Sequence, residues 1–198
     1  MWLIVIYRCY TFNYFVDGAK ANHRCLILSD SMCKYIRHIP NTEVYFAKGA
    51  TISGLSYQLL QSDINLLNYR IIIIHVGTND VRQREMYEIE CHYKALIYQI
   101  HHINKEATII LSSVLHRPVD FHSTESKVIK INQCLKDLSK KYLYCAYIKT
   151  YKSFMKKGAP NTALYARKDG GLHLNQNGTF RLRSLFKNHI VLKSRLIV

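Results

Sequence analysis

The feature that most constrains this chain is the alternation of short, almost wholly apolar runs with stretches of helical period. The runs are Cys25–Leu28, Val44–Phe46, Ile71–Val76, Thr108–Leu111 and Cys145–Ile148. Runs of this length without polar alternation suit strands buried on both faces, as in a parallel sheet covered by helices. Between the third and fourth runs, Ile89, Tyr93, Leu96, Ile97 and Ile100 recur at helical spacing, and between the fourth and fifth Val128, Ile131, Leu135 and Leu138 do the same. The pattern predicts a three-layer α/β/α sandwich around a parallel sheet of about five strands, of the flavodoxin-like kind. A last helix is predicted from Asn175 or Gln176, with Phe180, Leu182 and Leu185 as its apolar residues and bases between them.

A length of 198 residues fits one domain with a sizeable core. The regular pattern begins near Arg24, so residues 24–198 are read as the domain and residues 1–23 as an atypical N-terminal extension. Met1–Val16 is hydrophobic but is interrupted by Arg8 and has no basic stretch ahead of its apolar residues, which makes a poor signal peptide. No apolar run approaches the roughly 20 residues that span a bilayer, so no transmembrane segment is expected. The six cysteines show no C-x-x-C spacing and are expected to be reduced, buried thiols. No His/Cys grouping has metal-ligand spacing, so neither a metal nor another cofactor is expected. These features lean towards an intracellular setting.

Charge narrows the partners. Lys plus Arg number 28 and Asp plus Glu 13, a net +15. From Lys149 onward there are eleven Lys or Arg against a single acid, Asp169. Such a face attracts polyanions, and the expectation is a nucleic-acid contact through the Lys and Arg of the C-terminal quarter; the rival reading is an ordinary solvated surface.

In an open parallel sheet, ligands bind beyond the carboxyl ends of the strands. Four groups of small or polar residues fall there: Ser29-Asp30-Ser31 after the first run, Gly49 after the second, Gly77-Thr78-Asn79-Asp80 after the third, and Asp169 to Asn175 before the last helix. Each has a plain reading alone. The Ser29 to Ser31 segment caps a helix predicted over Met32–His38, Gly49 makes a turn, Asn79 and Asp80 cap the next helix, and His173 is a satisfied histidine.

Taken together and in order, these residues resemble the SGNH hydrolase superfamily, the GDSL-like esterases and lipases, over roughly Arg24 to Lys187. The family's Gly-Asp-Ser block reads Ser29-Asp30-Ser31 here, its second-block glycine is matched by Gly49, its Gly-x-Asn-Asp block by Gly77-Thr78-Asn79-Asp80, and its Asp-x-x-His block in part by His173. The finer text of these segments is similar to the esterase domains carried by non-LTR retroelement proteins. The resemblance implies Ser31 as nucleophile, His173 as general base and then acid, and an oxyanion hole of the Ser31 N–H, the Gly49 N–H and the Asn79 side chain, with Asp30, Gly77 and Thr78 in support. A turn between strand and helix suits Ser31 independently, because the positive end of the predicted helix favours developing negative charge. The family's orienting Asp stands three residues before the histidine, where this chain has Gly170. Asp169 stands four before and is the expected partner if the added glycine lets the loop bulge. Ser29 in place of glycine is a second departure.

Two functions compete at this stage. One is a serine esterase cleaving an acetyl or longer acyl ester of a small substrate through an acyl-enzyme. The other is a catalytically weak or inactive domain that binds RNA or other nucleic acid through its basic surface. A decayed copy without a present role is a third reading. The acyl pocket is expected to be built by Ser53–Asn68 and His116–Ser123.

Overall fold

A computed structural model of the chain describes residues 13–15 and 25–194. Five parallel strands run through its centre: β2 (Cys25–Ser29), β3 (Thr42–Phe46), β4 (Ile71–His75), β5 (Thr108–Ser112) and β6 (Cys145–Ile148). β1 (Asn13–Phe15), from the stretch set apart as an extension, adds an antiparallel edge, giving the order β1-β3-β2-β4-β5-β6. The rest of that extension, Cys9 included, lies outside the described residues.

Each strand divides its side chains between two cores because successive residues point to opposite faces. In β4, Ile72 and Ile74 join Leu26, Leu28, Ile109 and Leu111 in one core, and Ile71 and Ile73 join Cys25, Ile27 and Ile110 in the other. Burying one such side chain contributes about 2 kcal/mol, which explains why the register tolerates no slip. The first core is covered by α1 (Ile52–Gln61), the short α2 (Asp80–Gln83), α3 (Met86–Ile103) and α4 (Phe121–Lys141). The second is covered by α5 (Gln176–Ser194), through Leu182, Phe186 and Ile190, and by the short segment after β2. The predicted apolar positions of the two crossover helices, Ile89 to Ile100 and Val128 to Leu138, are all buried.

Two expectations are corrected. The helix predicted over Met32–His38 is only a 3-10 turn, Ser31–Cys33, and the chain then runs irregularly to β3 with His38 and Asn41 at positive φ. Of the apolar residues named for the last helix, Leu182 is buried and Leu185 half-buried, whereas Phe180 is 64% exposed; Leu182, Phe186 and Ile190 form the buried face. Of the described cysteines, Cys25 and Cys33 are buried, Cys134 and Cys145 are half-buried and Cys91 is exposed; all five are free thiols. Among the described residues no helix is long and apolar enough to cross a membrane.

Candidate active site

The strand order decides which loops meet. β2 lies between β3 and β4, with Ser29 in register with Phe46 on one side and His75 on the other. Ser31, Gly49 and Asn79 stand two, three and four residues beyond those three strand ends, so adjacent strands deliver them to one edge of the sheet.

Ser31 is held by its predecessor. The Asp30 carboxylate is buried and accepts the Met32 N–H at 2.9 Å, closing the turn that presents the Ser31 hydroxyl. Burial pushes the Asp30 carboxyl up to about 7, against the pull of that hydrogen bond, and the nearby Asp80 carboxylate adds to the rise. Since the segment is one 3-10 turn and not the helix expected there, no helix dipole of consequence acts on Ser31. Ser29 is harmless in the glycine position. It ends β2 in extended backbone, and its hydroxyl donates to the His75 carbonyl at 2.7 Å.

Gly49 has φ of +70°, a conformation that costs glycine little, and is exposed beside the cleft. Gly77 is required more strictly. Its φ is +118°, and an added Cβ would run into the Tyr93 hydroxyl, which donates to the Val76 carbonyl at 2.6 Å. Thr78 is buried. The Asn79 amide donates one N–H to the Ala50 carbonyl at 2.9 Å, which fixes the side chain across the β3 loop and leaves its second N–H for another acceptor. Asp80, fully buried, accepts the Ile52 N–H at 3.0 Å and so ties the same loop to the start of α1. Burial raises the Asp80 carboxyl to about 6, against that hydrogen bond.

The third component is the loop before α5. It is pinned at both ends: Tyr165 bridges Leu174, the Ala166 N–H donates to the His173 carbonyl at 2.9 Å, and the Asn175 side chain caps α5 by accepting the Gly178 N–H at 3.0 Å. Gly170 and Gly171 follow Asp169 with φ of +68° and +89°. A side chain at Gly171 would meet Pro118 at 2.7 Å, so the bulge needs glycine for both backbone and space. This bulge absorbs the extra residue. Asp169 Oδ1 accepts the N–H groups of Gly171, Leu172 and His173 at 3.2, 3.0 and 3.5 Å, and Oδ2 lies 2.8 Å from His173 Nδ1. Burial alone would raise the Asp169 carboxyl, but the His173 ring and the backbone donors outweigh it and hold it below the ordinary carboxylate value. An ionised carboxylate only accepts, so Nδ1 carries a proton, and in the neutral ring Nε2 is then the acceptor. Nε2 lies 3.1 Å from Ser31 Oγ, across 142 residues of sequence.

The structure therefore brings Ser31, His173 and Asp169 into one hydrogen-bonded chain, with Gly49 and Asn79 on neighbouring strand ends. The expected pocket walls are corrected. A cleft of about 880 Å³ opens over Ser31, Asp169 and His173, but it is lined by neither Ser53–Asn68 nor His116–Ser123. The first of these is mostly α1 and packs into the first core, and in the second Pro118 and Val119 back the Gly170-Gly171 bulge from behind. The walls come instead from the turn after Ser31, from Lys48, and from one face of α5 carrying Gln176, Thr179, Phe180 and Arg183. That face was readable in the i, i+3, i+4, i+7 spacing of these four residues. Among the described residues no group of His, Cys, Asp or Glu is placed to hold a metal.

Comparison with known proteins fits this geometry. The model of the GDSL-like lipase/acylhydrolase family matches residues 32–179. No curated protein gives a significant match. Solved structures with the same fold include a GDSL-like lipase from Bacteroides thetaiotaomicron (18% identity, TM-score 0.71, covering 90% of this chain and 93% of that one). A lipase/acylhydrolase from Enterococcus faecalis is similar at 15% identity and TM-score 0.66, over 84% and 94% of the two chains. The OSK domain of Drosophila Oskar is similar at 16% identity and TM-score 0.62, over 82% and 86%. At these identities the structural likenesses carry the fold and not the activity, whereas the family match covers most of the chain: the protein belongs to the GDSL-like lipase/acylhydrolase family.

Proposed function

We propose that this member of the GDSL-like lipase/acylhydrolase family hydrolyses acetyl or longer acyl esters through an acyl-enzyme on Ser31. The observation that carries the reading is the chain Asp169 Oδ2, His173 Nδ1 and Nε2, Ser31 Oγ, at 2.8 and 3.1 Å. His173 Nε2 takes the hydroxyl proton as Ser31 Oγ attacks the ester carbonyl carbon. The negative charge passes to the carbonyl oxygen, which accepts hydrogen bonds from the Ser31 N–H, the Gly49 N–H and the second Asn79 N–H. The tetrahedral species collapses, the C–O bond to the alcohol breaks, and His173 returns its proton to the leaving oxygen. Water then adds to the acyl-enzyme by the same route, with His173 as base, releasing the acid and restoring Ser31. Asp169 holds the imidazole in its Nδ1–H tautomer throughout. Steady-state hydrolysis of a p-nitrophenyl acyl ester tests the reading: Ser31→Ala abolishes turnover with the fold intact by circular dichroism, and unchanged turnover refutes it.

A second reading, nucleic-acid binding, is favoured by one observation. Lys149, Lys152, Lys156 and Lys157 follow one another along the stretch after β6, all exposed, and none forms an ion pair among the described residues. If they hold a polyanion, affinity for single-stranded RNA falls steeply with salt as counterions are released; a flat salt response counts against it. The two readings use different surfaces and are compatible.

A further inference from the structure

The cleft over Ser31 is more cationic than the basicity of the chain explains. Five of its seventeen lining residues are Lys or Arg, about twice the share in the whole sequence, where 28 of 198 are. The lining holds one carboxylate, Asp169, which already serves His173. The five cations do not come from one basic run. Lys34 and Arg37 belong to the turn after Ser31, Lys48 to the loop after β3, Lys168 to the Asp169 bulge and Arg183 to α5.

Hydrogen bonds to backbone carbonyls hold both guanidinium groups of this set in place. Arg183 donates to the His38 carbonyl at 3.0 Å, and Arg37 to the carbonyls of Lys34 and Ile36, each at 2.9 Å. Among the described residues Lys34, Lys48, Lys168 and Arg183 form no ion pair with a carboxylate. Lys34 instead stands over the ring of Tyr35, 5.1 Å from its centre. Tyr35 and Phe180 both line the cleft and are 61% and 64% exposed, offering flat apolar faces between the charges. Cations gathered in a concave wall repel one another, and a bound anion relieves that repulsion, so such a cleft concentrates anionic ligands. Guanidinium groups held in place also match the oxygens of a phosphate.

Resting on the proposed hydrolysis at Ser31, we infer that the preferred substrate is an acyl ester whose alcohol portion carries a phosphate-type anion. The alcohol leaves on the side of His173, which protonates it, and Lys168 and Arg183 stand on the two elements that flank this histidine. The carboxylic ester is cleaved and the phosphate is only recognised.

The test compares kcat/KM for phenyl butyrate and for its 4-phosphorylated analogue, 4-(butyryloxy)phenyl phosphate. The wild type is expected to favour the phosphorylated ester at least tenfold at low ionic strength, with the preference shrinking as salt screens the cleft. In the double variant Lys168→Gln, Arg183→Gln the ratio of the two rates falls towards one. A wild-type ratio of one or less, with phenyl butyrate turned over, overturns the inference while leaving the hydrolysis reading in place. If neither ester is cleaved, the hydrolysis reading fails and the anion site is decided separately by binding of phenyl phosphate to Ser31→Ala protein. Saturable, salt-sensitive binding weakened by the double variant supports the site, and absence of binding overturns it. A further arm offers short-chain phosphatidic acid as monomer and in phosphatidylcholine vesicles. Selective cleavage of the vesicle-borne form assigns the anion to a lipid headgroup, and preference for the soluble esters assigns it to a free phosphoester.

Discussion

Asp169 Oδ2 lies 2.8 Å from His173 Nδ1 although the histidine follows the aspartate by four positions, not three. The contact is made because Gly170 and Gly171 turn through positive φ and Gly171 passes against Pro118. The added residue lengthens the loop without moving the carboxylate away from the ring.

If this contact fixes the tautomer of His173, Asp169→Asn is expected to lower kcat for an acyl ester by several orders of magnitude. The matching change in a serine protease cost about 10⁴. Thermal unfolding should be nearly unaffected beside that loss. A kcat within tenfold of wild type would show that the ring is oriented by another group.

Asn79 tests the proposed oxyanion hole separately from the proposed nucleophile. Asn79→Ala removes both the spare N–H and the bond to the Ala50 carbonyl. Loss of one such donor costs about 2.7–4 kcal/mol in the barrier, or a fall in kcat of roughly 10²–10³ with KM little changed. An increase in KM alone would place Asn79 in ground-state binding.

Gly77 is a stability test. Gly77→Ala forces a side chain into positive φ and against the Tyr93 hydroxyl. The combined strain and overpacking are expected to cost roughly 2–4 kcal/mol, measured by denaturant unfolding at constant m-value. A change below about 0.5 kcal/mol, the scale of an ordinary surface substitution, would mean the β4 loop is not held as described.

Asp30 gives a pH dependence of defined sign. Its carboxyl is raised to about 7 in the fold, so the native state holds a proton that the unfolded chain has already lost. Stability from this group is therefore full below about pH 4 and declines as pH rises through to about 7. Asp30→Asn keeps an acceptor for the Met32 N–H and removes the titration. The stability of the variant relative to wild type is expected to be higher at pH 8 than at pH 5. An equal difference at both pH values would contradict the raised value.

Much of this arrangement was legible in the sequence because buried parallel strands carry an unmixed apolar signal. Ile71 to Ile74 read as one run, and both cores take alternate members of it. The four polar groups at the strand ends were also legible, since topology alone brings loops after adjacent strands together. Less could be read where backbone geometry decides. The text after Ser31 has helical composition, yet it folds as a single turn, and His38 and Asn41 take positive φ on the way into β3. Asp169 and His173 could be named but not joined, since the path of the bulge depends on Pro118, distant in sequence. The cleft walls were misassigned for a similar reason. Phe180 is apolar yet exposed, on the α5 face turned away from Leu182 and Phe186, and so lines the cleft.

Covalent labelling with a fluorophosphonate probe, followed by peptide mapping, reports whether Ser31 is an activated nucleophile. One probe per chain on Ser31, lost in Ser31→Ala and strongly slowed in His173→Ala, is the expected result. Absence of labelling in folded wild-type protein, or labelling that survives in Ser31→Ala, would contradict it.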